Sequence, residues 1–225
     1  FDLKKLRYFN ARYLREILPL EEVARRTAPL LKAAGYSWED EEYLLDVIDV
    51  LLERAETLVD FVEQSGYFFD DELAYDEEAR KRLAAGQSYL EDLERQLSMV
   101  EFFDYDTLDD LIREYVQAQG VGLGKVMMPL RVALTGVTNT PSVVDVMSIL
   151  GKSLVLSRIG RAINAINEGL PDDRPQKEDE LQAPPKARAP DVLVRSPAQG
   201  LRPHPRPDSA GRLAQLGDGL GGPGV

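Results

Sequence analysis

Apolar residues recur at intervals of three and four positions through most of the chain, and this spacing predicts helices. In residues 38–55 the buried face of such a helix would consist of Leu44, Leu45, Val47, Ile48, Leu51 and Leu52. In residues 87–100 the same spacing links Leu90, Leu93 and Leu97. No window shows the sustained two-residue alternation that a strand requires. The sequence therefore predicts an all-α fold.

Capping signals give the expected ends of these helices. Pro19 and Gly35 bound a helix over residues 20–34, and Ser37 with Asp40 resembles a capping box that would open the helix over 38–55. Gly66 and the three aromatic residues after it should interrupt the pattern. Further helices are predicted over 76–85, 87–100, 107–119, 126–134, 142–150 and 152–166. This order favours two small helical modules, residues 1–104 and 105–170.

The composition changes after residue 170. Residues 171–225 hold 10 of the 14 prolines and 7 of the 17 glycines, without apolar periodicity. Such a segment cannot bury enough surface to offset its ordering entropy, so a disordered tail is expected. An extension read from GC-rich sequence and an ordinary flexible tail are both open interpretations.

The residue inventory leaves little for catalysis. The chain has no Cys, and its one His, His204, lies in the Pro-rich tail, so we expect no catalytic residue and no metal site. GVGLGK, at residues 120–125, lacks the Ser/Thr and the preceding strand of a phosphate loop, and we interpret it as a helix-breaking turn. Without an apolar run of about 18 residues or a signal segment, the chain should be soluble and cytoplasmic. Its first residue, Phe1, indicates a piece of a longer protein.

Charge is unevenly distributed along the chain. The net charge is −12, but residues 1–110 hold 13 basic and 28 acidic side chains, whereas residues 111–170 hold 6 basic and 3 acidic. A polyanion such as RNA would be attracted to the second region and repelled by the first, and so would be oriented as well as bound. An ordinary fluctuation in composition is the alternative explanation.

Four segments carry a resemblance to a known family. They are FDLKKLRYFNARYLRE at residues 1–16, PLLKAAGYSWEDEEYL at 29–44, DDELAYDEEARKRL at 70–83, and GVGLGKVMMPLRVALTGVTNTPSVVDVMSILGKSLVLSRIGR at 120–161. Their order and spacing over residues 1–168 resemble the C-terminal stem-contact and anticodon-binding region of bacterial glutamyl-tRNA synthetases.

The resemblance implies that residues 1–104 lie along the tRNA stem and residues 105–170 receive the anticodon loop. Glutamate tRNA and a missing N-terminal catalytic domain would be the partners, with no membrane contact, and we expect a monomer. The chain holds no HIGH-type or KMSKS-type motif, so it should be inactive alone and need no cofactor itself. The parent enzyme would use ATP and magnesium.

By the same resemblance, Arg54 matches the residue that reads the third anticodon base and Arg131 the one that contacts the first. The second base would be held by Thr138, Asn139, Thr140, Pro141, Val143 and Val144, although the family favours a larger pair such as Leu and Phe at the two valines. Contacts to the RNA backbone are expected from Lys125, Lys152, Arg158 and Arg161.

Structural explanations exist for the same residues. A cation at Arg54 would offset the negative end of its helix, Arg131 could be a solvated surface arginine, and short polar residues at 138–141 would cap the next helix without RNA. A helical protein-interaction module and a free-standing RNA chaperone or tRNA-handling protein are the alternative functions.

Overall fold

The computed structural model describes residues 2–168, and this range is all-α, as predicted, with no strand. The helices, numbered in chain order, are α1 Leu3–Arg12, α2 Leu20–Ala33, α3 Glu41–Leu52, α4 Leu58–Phe69, α5 Glu77–Ala85, α6 Gln87–Met99, α7 Tyr105–Gln119, α8 Leu123–Thr135 and α9 Val143–Asn167. A π-helical turn, Tyr13–Ile17, continues α1. The predicted disordered tail, 171–225, lies outside the described residues.

Two glycines end helices where the sequence places them. Gly120 and Gly136 have φ angles of 62° and 75° and follow α7 and α8. At Gly136 an added Cβ would lie 2.9 Å from the carbonyl oxygen of Ala74. A side chain there would therefore be strained and would also collide with the segment before α5.

The predicted start of α3 is wrong. Asp40, not Ser37, is the N-cap, and its carboxylate accepts a hydrogen bond of 2.9 Å from the backbone N–H of Glu42. The Asp40 carboxylate satisfies a first-turn donor directly, so the helix begins at Glu41 and has no need of a cap three residues earlier.

The predicted interruption at Gly66 is also wrong, because this glycine and the aromatic residues after it form the last turn of α4. Thr57 and Asp60 form a capping box that starts this helix. A Cβ at Gly66 would lie 3.0 Å from the hydroxyl of Tyr36, and the Phe69 ring stacks on the Tyr36 ring at a centroid distance of 5.2 Å. The glycine thus allows close packing against the loop after α2, and the packing stabilises the helix despite its low local propensity.

Helix α9 occupies the centre of the described part of the chain. It packs against α6, α8 and α7, and also touches α3 and α5, while α2 packs against α3 and α4. Ser142 caps its start, and Gly151 leaves helical geometry with φ 76° and ψ 160°. The sequence predicted this break between two helices. The division into modules at residue 104 remains a prediction.

Among residues 2–168, no helix combines the length and the apolar character needed to cross a membrane.

Candidate nucleic-acid interface

The turn between α8 and α9, residues 136–142, is the polar turn that the sequence indicated. The backbone N–H of Gly136 bonds to the Val132 carbonyl at 2.8 Å, and the Thr135 hydroxyl accepts the N–H of Val137 at 3.3 Å. Asn139 is exposed, and Thr138 and Pro141 are partly exposed. The turn therefore presents short polar groups from a fixed backbone.

Two arginines from separate parts of the chain hold this turn. Arg54, two residues beyond the end of α3, donates from Nη2 to the side-chain oxygen of Asn139. Arg131, in α8, donates from Nη1 to the carbonyl oxygen of Thr138 at 3.3 Å. Four of the predicted base-contacting residues, drawn from two separate parts of the chain, therefore lie together at one surface.

Tyr67, in the last turn of α4, lies close enough to both arginines for their charges to act on its hydroxyl. Burial raises the pKa of the Tyr67 hydroxyl, and the positive charges of Arg54 and Arg131 partly oppose this. The pKa of Arg131 is lowered by burial and then by the charge of Arg54. The two guanidinium groups thus repel each other, and an anion placed beside them would relieve that repulsion.

Some predicted base contacts are enclosed instead. The Thr140 hydroxyl donates to the carbonyl oxygen of Pro141 at 3.0 Å, and the residue is 4% exposed. Val143 and Val144 are 2% and 3% exposed and belong to the hydrophobic core. In this conformation neither valine offers a face on which a base could stack, so their main role is to pack the start of α9.

The four cations predicted to contact the RNA backbone differ in availability. Lys125, in the first turn of α8, is exposed. Arg161 is exposed and donates to the Asp71 carbonyl at 2.8 Å and to the Ser157 hydroxyl at 3.1 Å. The Lys152 ammonium donates to the Val100 carbonyl at 2.6 Å.

Arg158 is the fourth, and it is 1% exposed. Its guanidinium donates to the carbonyls of Leu134 and Asp70, both at 2.6 Å, and so joins the ends of α8 and α4. A phosphate cannot reach a guanidinium in this position. The geometry corrects the prediction of a backbone contact here and gives Arg158 a structural role.

Arg15 has a positioning role that the sequence did not reveal. It donates to the carbonyls of Leu52 at 3.1 Å and Ala55 at 3.2 Å. These carbonyls flank Arg54, and a cation beside them offsets the negative end of α3. The predicted dipole role of Arg54 is therefore filled, at least in part, by Arg15, whose position in the sequence gave no signal of it.

Carboxylates crowd along α3, within the acidic region formed by residues 1–110. Burial raises the pKa of Asp46 to about 6, with further contributions from Glu42, Asp49 and Asp40. Crowding of carboxylates on this helix disfavours the approach of a polyanion to it. Within residues 2–168 no group of three or more His, Asp or Glu side chains is arranged to hold a metal ion.

Comparison with known proteins decides the family. A family model described as an anticodon binding domain matches residues 12–163. The chain belongs to this family. The resemblance found in the sequence is confirmed.

This anticodon-binding domain is similar to glutamate–tRNA ligases. It is 40% identical over 163 residues to the enzyme of Thermus thermophilus, and the match covers 72% of this chain and 35% of the relative. It is 31% identical over 167 residues to the enzyme of Deinococcus radiodurans, again covering 72% and 35%. The chain thus spans about a third of the length of these curated relatives.

Solved structures agree with the sequence matches. A glutamate tRNA ligase from Elizabethkingia meningosepticum, crystallised in complex with its amino acid, superposes with a TM-score of 0.66 at 29% identity, over 74% of this chain and 33% of that one. The glutamate–tRNA synthetase of Elizabethkingia anophelis gives a TM-score of 0.64 at 30% identity, over 73% and 32%.

Proposed function

We propose that this chain recognises the anticodon loop of a glutamate tRNA as part of a glutamate–tRNA ligase. The observation that carries the proposal is the meeting of Arg54, Arg131 and the 136–142 turn at one surface. Two adjacent guanidinium groups and a polar turn suit an RNA loop, whose unpaired bases expose hydrogen-bonding edges beside phosphates. Membership of the anticodon-binding family supports the same ligand.

Recognition would proceed by splaying the loop so that each base meets its own group. Arg54 would read the third base and Arg131 the first, because a planar guanidinium can bond a base edge and stack on its face. Thr138 and Asn139 would hold the second base through backbone and side-chain hydrogen bonds. The anticodon expected is pyrimidine-U-C.

Cations that remain accessible would fix the register of the RNA without reading its sequence. Lys125 and Arg161 are suited to phosphate contacts because both are exposed. Lys152 is only partly exposed and Arg158 is buried, so neither belongs to this set. The first module, residues 1–104, would follow the stem and contribute Arg54 to the loop site, and the second, residues 105–170, would receive the rest of the loop.

The chemistry of the ligase would belong to a catalytic part outside this chain. That part would join glutamate to its tRNA with ATP and magnesium. We assign no reaction step to the described residues. The protein would act in the cytoplasm, and the chain itself would be a monomer.

Binding measurements can test the proposal directly. The dissociation constant of the chain would be compared for a glutamate tRNA transcript and for the same transcript with all three anticodon bases replaced, at one fixed salt concentration. Three lost base contacts predict a weakening of at least about 100-fold. Equal binding of the two transcripts would refute anticodon recognition while leaving the fold intact.

One observation favours a second candidate, a protein-interaction module. Helix α1 and the π-helical turn expose Leu3, Leu6, Phe9 and Ile17 by 67%, 50%, 53% and 65%. Exposed apolar clusters of this kind mark protein contacts. Such a contact would not depend on the anticodon, so the same binding experiment separates the two functions.

A further inference from the structure

Two polar atoms near the turn are buried without a hydrogen-bond partner. They are the hydroxyl oxygen of Tyr67 and Nε of Arg131, and the other two such atoms in residues 2–168 are Ser65 Oγ and Arg158 Nε. Buried polar groups in folded proteins are nearly always paired, because an unpaired one has lost water without gaining a partner. Two such atoms on residues that act on each other electrostatically therefore require an explanation.

Their location indicates what they face. Arg131 holds the carbonyl of Thr138, and Arg54 holds the side chain of the next residue, Asn139. The two guanidinium groups thus approach the same turn from α8 and from the end of α3. Tyr67, 9% exposed, lies close enough to both for their charges to act on its hydroxyl.

Other enclosed tyrosines of this chain have partners. The hydroxyl of Tyr75 bonds to the Ala133 carbonyl at 3.2 Å, that of Tyr115 to the Asp92 carboxylate at 3.2 Å, and that of Tyr43 to the Phe68 carbonyl at 2.6 Å. Tyr67 is more buried than Tyr43 and Tyr75 but lacks such a bond. A phenylalanine would fill the same space without an unpaired oxygen, so the hydroxyl has no evident role in the free fold.

We propose that Tyr67 is a further base-recognition residue, whose hydroxyl forms with Arg131 Nε a polar floor that hydrogen-bonds the edge of one anticodon base. The inference rests on the proposed function. A phenol O–H and a guanidinium N–H can both donate to one carbonyl oxygen, which cytosine, uracil and guanine carry and adenine lacks. The floor would therefore accept a base with a ring carbonyl and reject adenine.

Access to the floor requires a movement. Arg54 is exposed and is held to the turn by a hydrogen bond to the Asn139 side chain. Water can replace that bond at the surface, so Arg54 can leave Asn139 at little cost and turn towards the RNA. Its departure is the movement that this proposal requires for the incoming base to reach Tyr67 and Arg131.

The test measures binding of four transcripts to the full chain and to its Tyr67→Phe variant. One transcript carries the glutamate anticodon, and each of the others has adenine at one anticodon position. Tyr67→Phe should weaken cognate binding by about 3- to 10-fold, the effect of one hydrogen bond. It should also reduce the penalty for adenine by the same factor at one position only.

Tyr75→Phe is the matched control, because it removes a hydroxyl that already has a partner. It should lower the urea midpoint of unfolding and leave the ratios among the four transcripts unchanged, whereas Tyr67→Phe should not lower the midpoint. If Tyr67→Phe binds all four transcripts as the unmodified chain does, or weakens all four equally, the inference is wrong. If the unmodified chain binds the four transcripts equally, the proposed anticodon recognition is wrong, and the inference about Tyr67, which rests on it, is wrong as well.

Discussion

Two pairs of arginines bind oxygens of neighbouring segments in different ways. One pair is Arg54 and Arg131, and the other is Arg158 and Arg161. Arg158 is enclosed and bonded to two backbone carbonyls at the ends of α8 and α4. Arg54 is exposed and bonded to one side-chain oxygen of a turn. An arginine surrounded by carbonyls fixes the fold, whereas one at an edge keeps donors for a ligand. Number and sign of charge alone do not distinguish these roles.

Removal of the enclosed arginine should have the largest effect on stability. Arg158→Met leaves the carbonyls of Leu134 and Asp70 without their donor, and we expect the free energy of unfolding to fall by about 3 kcal/mol. Urea denaturation measures this change in the free energy of unfolding. The matched variant Arg161→Met, at an exposed site, should cost less than about 1 kcal/mol. Equal losses of unfolding free energy in the two variants would contradict the different roles given to Arg158 and Arg161.

Replacement of the partly exposed arginine at the turn should affect recognition more than stability. Arg131→Gln should weaken binding of the glutamate tRNA transcript by about 1–3 kcal/mol. The variant should also lose discrimination at the first anticodon base, because the group that reads it is gone. Titrations with transcripts altered at that base measure both quantities. A loss that is identical for every altered transcript would instead assign Arg131 to backbone positioning.

Helix α4 places Tyr67 beside one arginine pair and the Asp70 carbonyl beside the other. Destabilising this helix therefore tests the role of both pairs. Thr57→Ala removes the N-cap that accepts the Asp60 N–H and should lower the free energy of unfolding by about 1 kcal/mol. Differential scanning calorimetry can measure the change. Because the cap lies at the far end of the helix, preferences among anticodons should persist, and their disappearance would show that the helix positions the site less firmly than we infer.

A cation outside both pairs should have the smallest effect. Lys125→Gln removes one proposed phosphate contact, so binding should weaken to a similar extent for every transcript. The slope of log affinity against log salt concentration should fall by about 1. Dissociation constants measured at several salt concentrations give this slope. An unchanged slope would exclude Lys125 from the RNA contact.

Local signals in the sequence predicted the helices well where the cause is local. Gly120 and Gly136 end helices because each adopts a left-handed backbone that glycine favours. The last turn of α4 was missed because its stability comes from packing on Tyr36, which no window around Gly66 contains. The start of α3 was misplaced because Asp40, expected as the capping-box partner of Ser37, is itself the N-cap, and only the folded backbone shows this.

The candidate site was predicted less completely, because it depends on packing between segments that are distant in sequence. The family resemblance indicated Arg54 and Arg131, but their meeting at one turn depends on how α3 and α8 pack. Arg158 was expected at the surface, because its burial depends on carbonyls of two distant helices. Tyr67 was read as part of a helix break, and its unpaired hydroxyl is visible only in three dimensions.

The central claim is that the turn between α8 and α9, with Arg54, reads the anticodon. The most direct measurement is the affinity of the chain and of Arg54→Gln for glutamate tRNA transcripts with the normal and a changed third anticodon base. We predict that the base change weakens binding to the unmodified chain by about 1–3 kcal/mol and that Arg54→Gln abolishes this difference. An equal penalty in both proteins, or none in either, would contradict the claim.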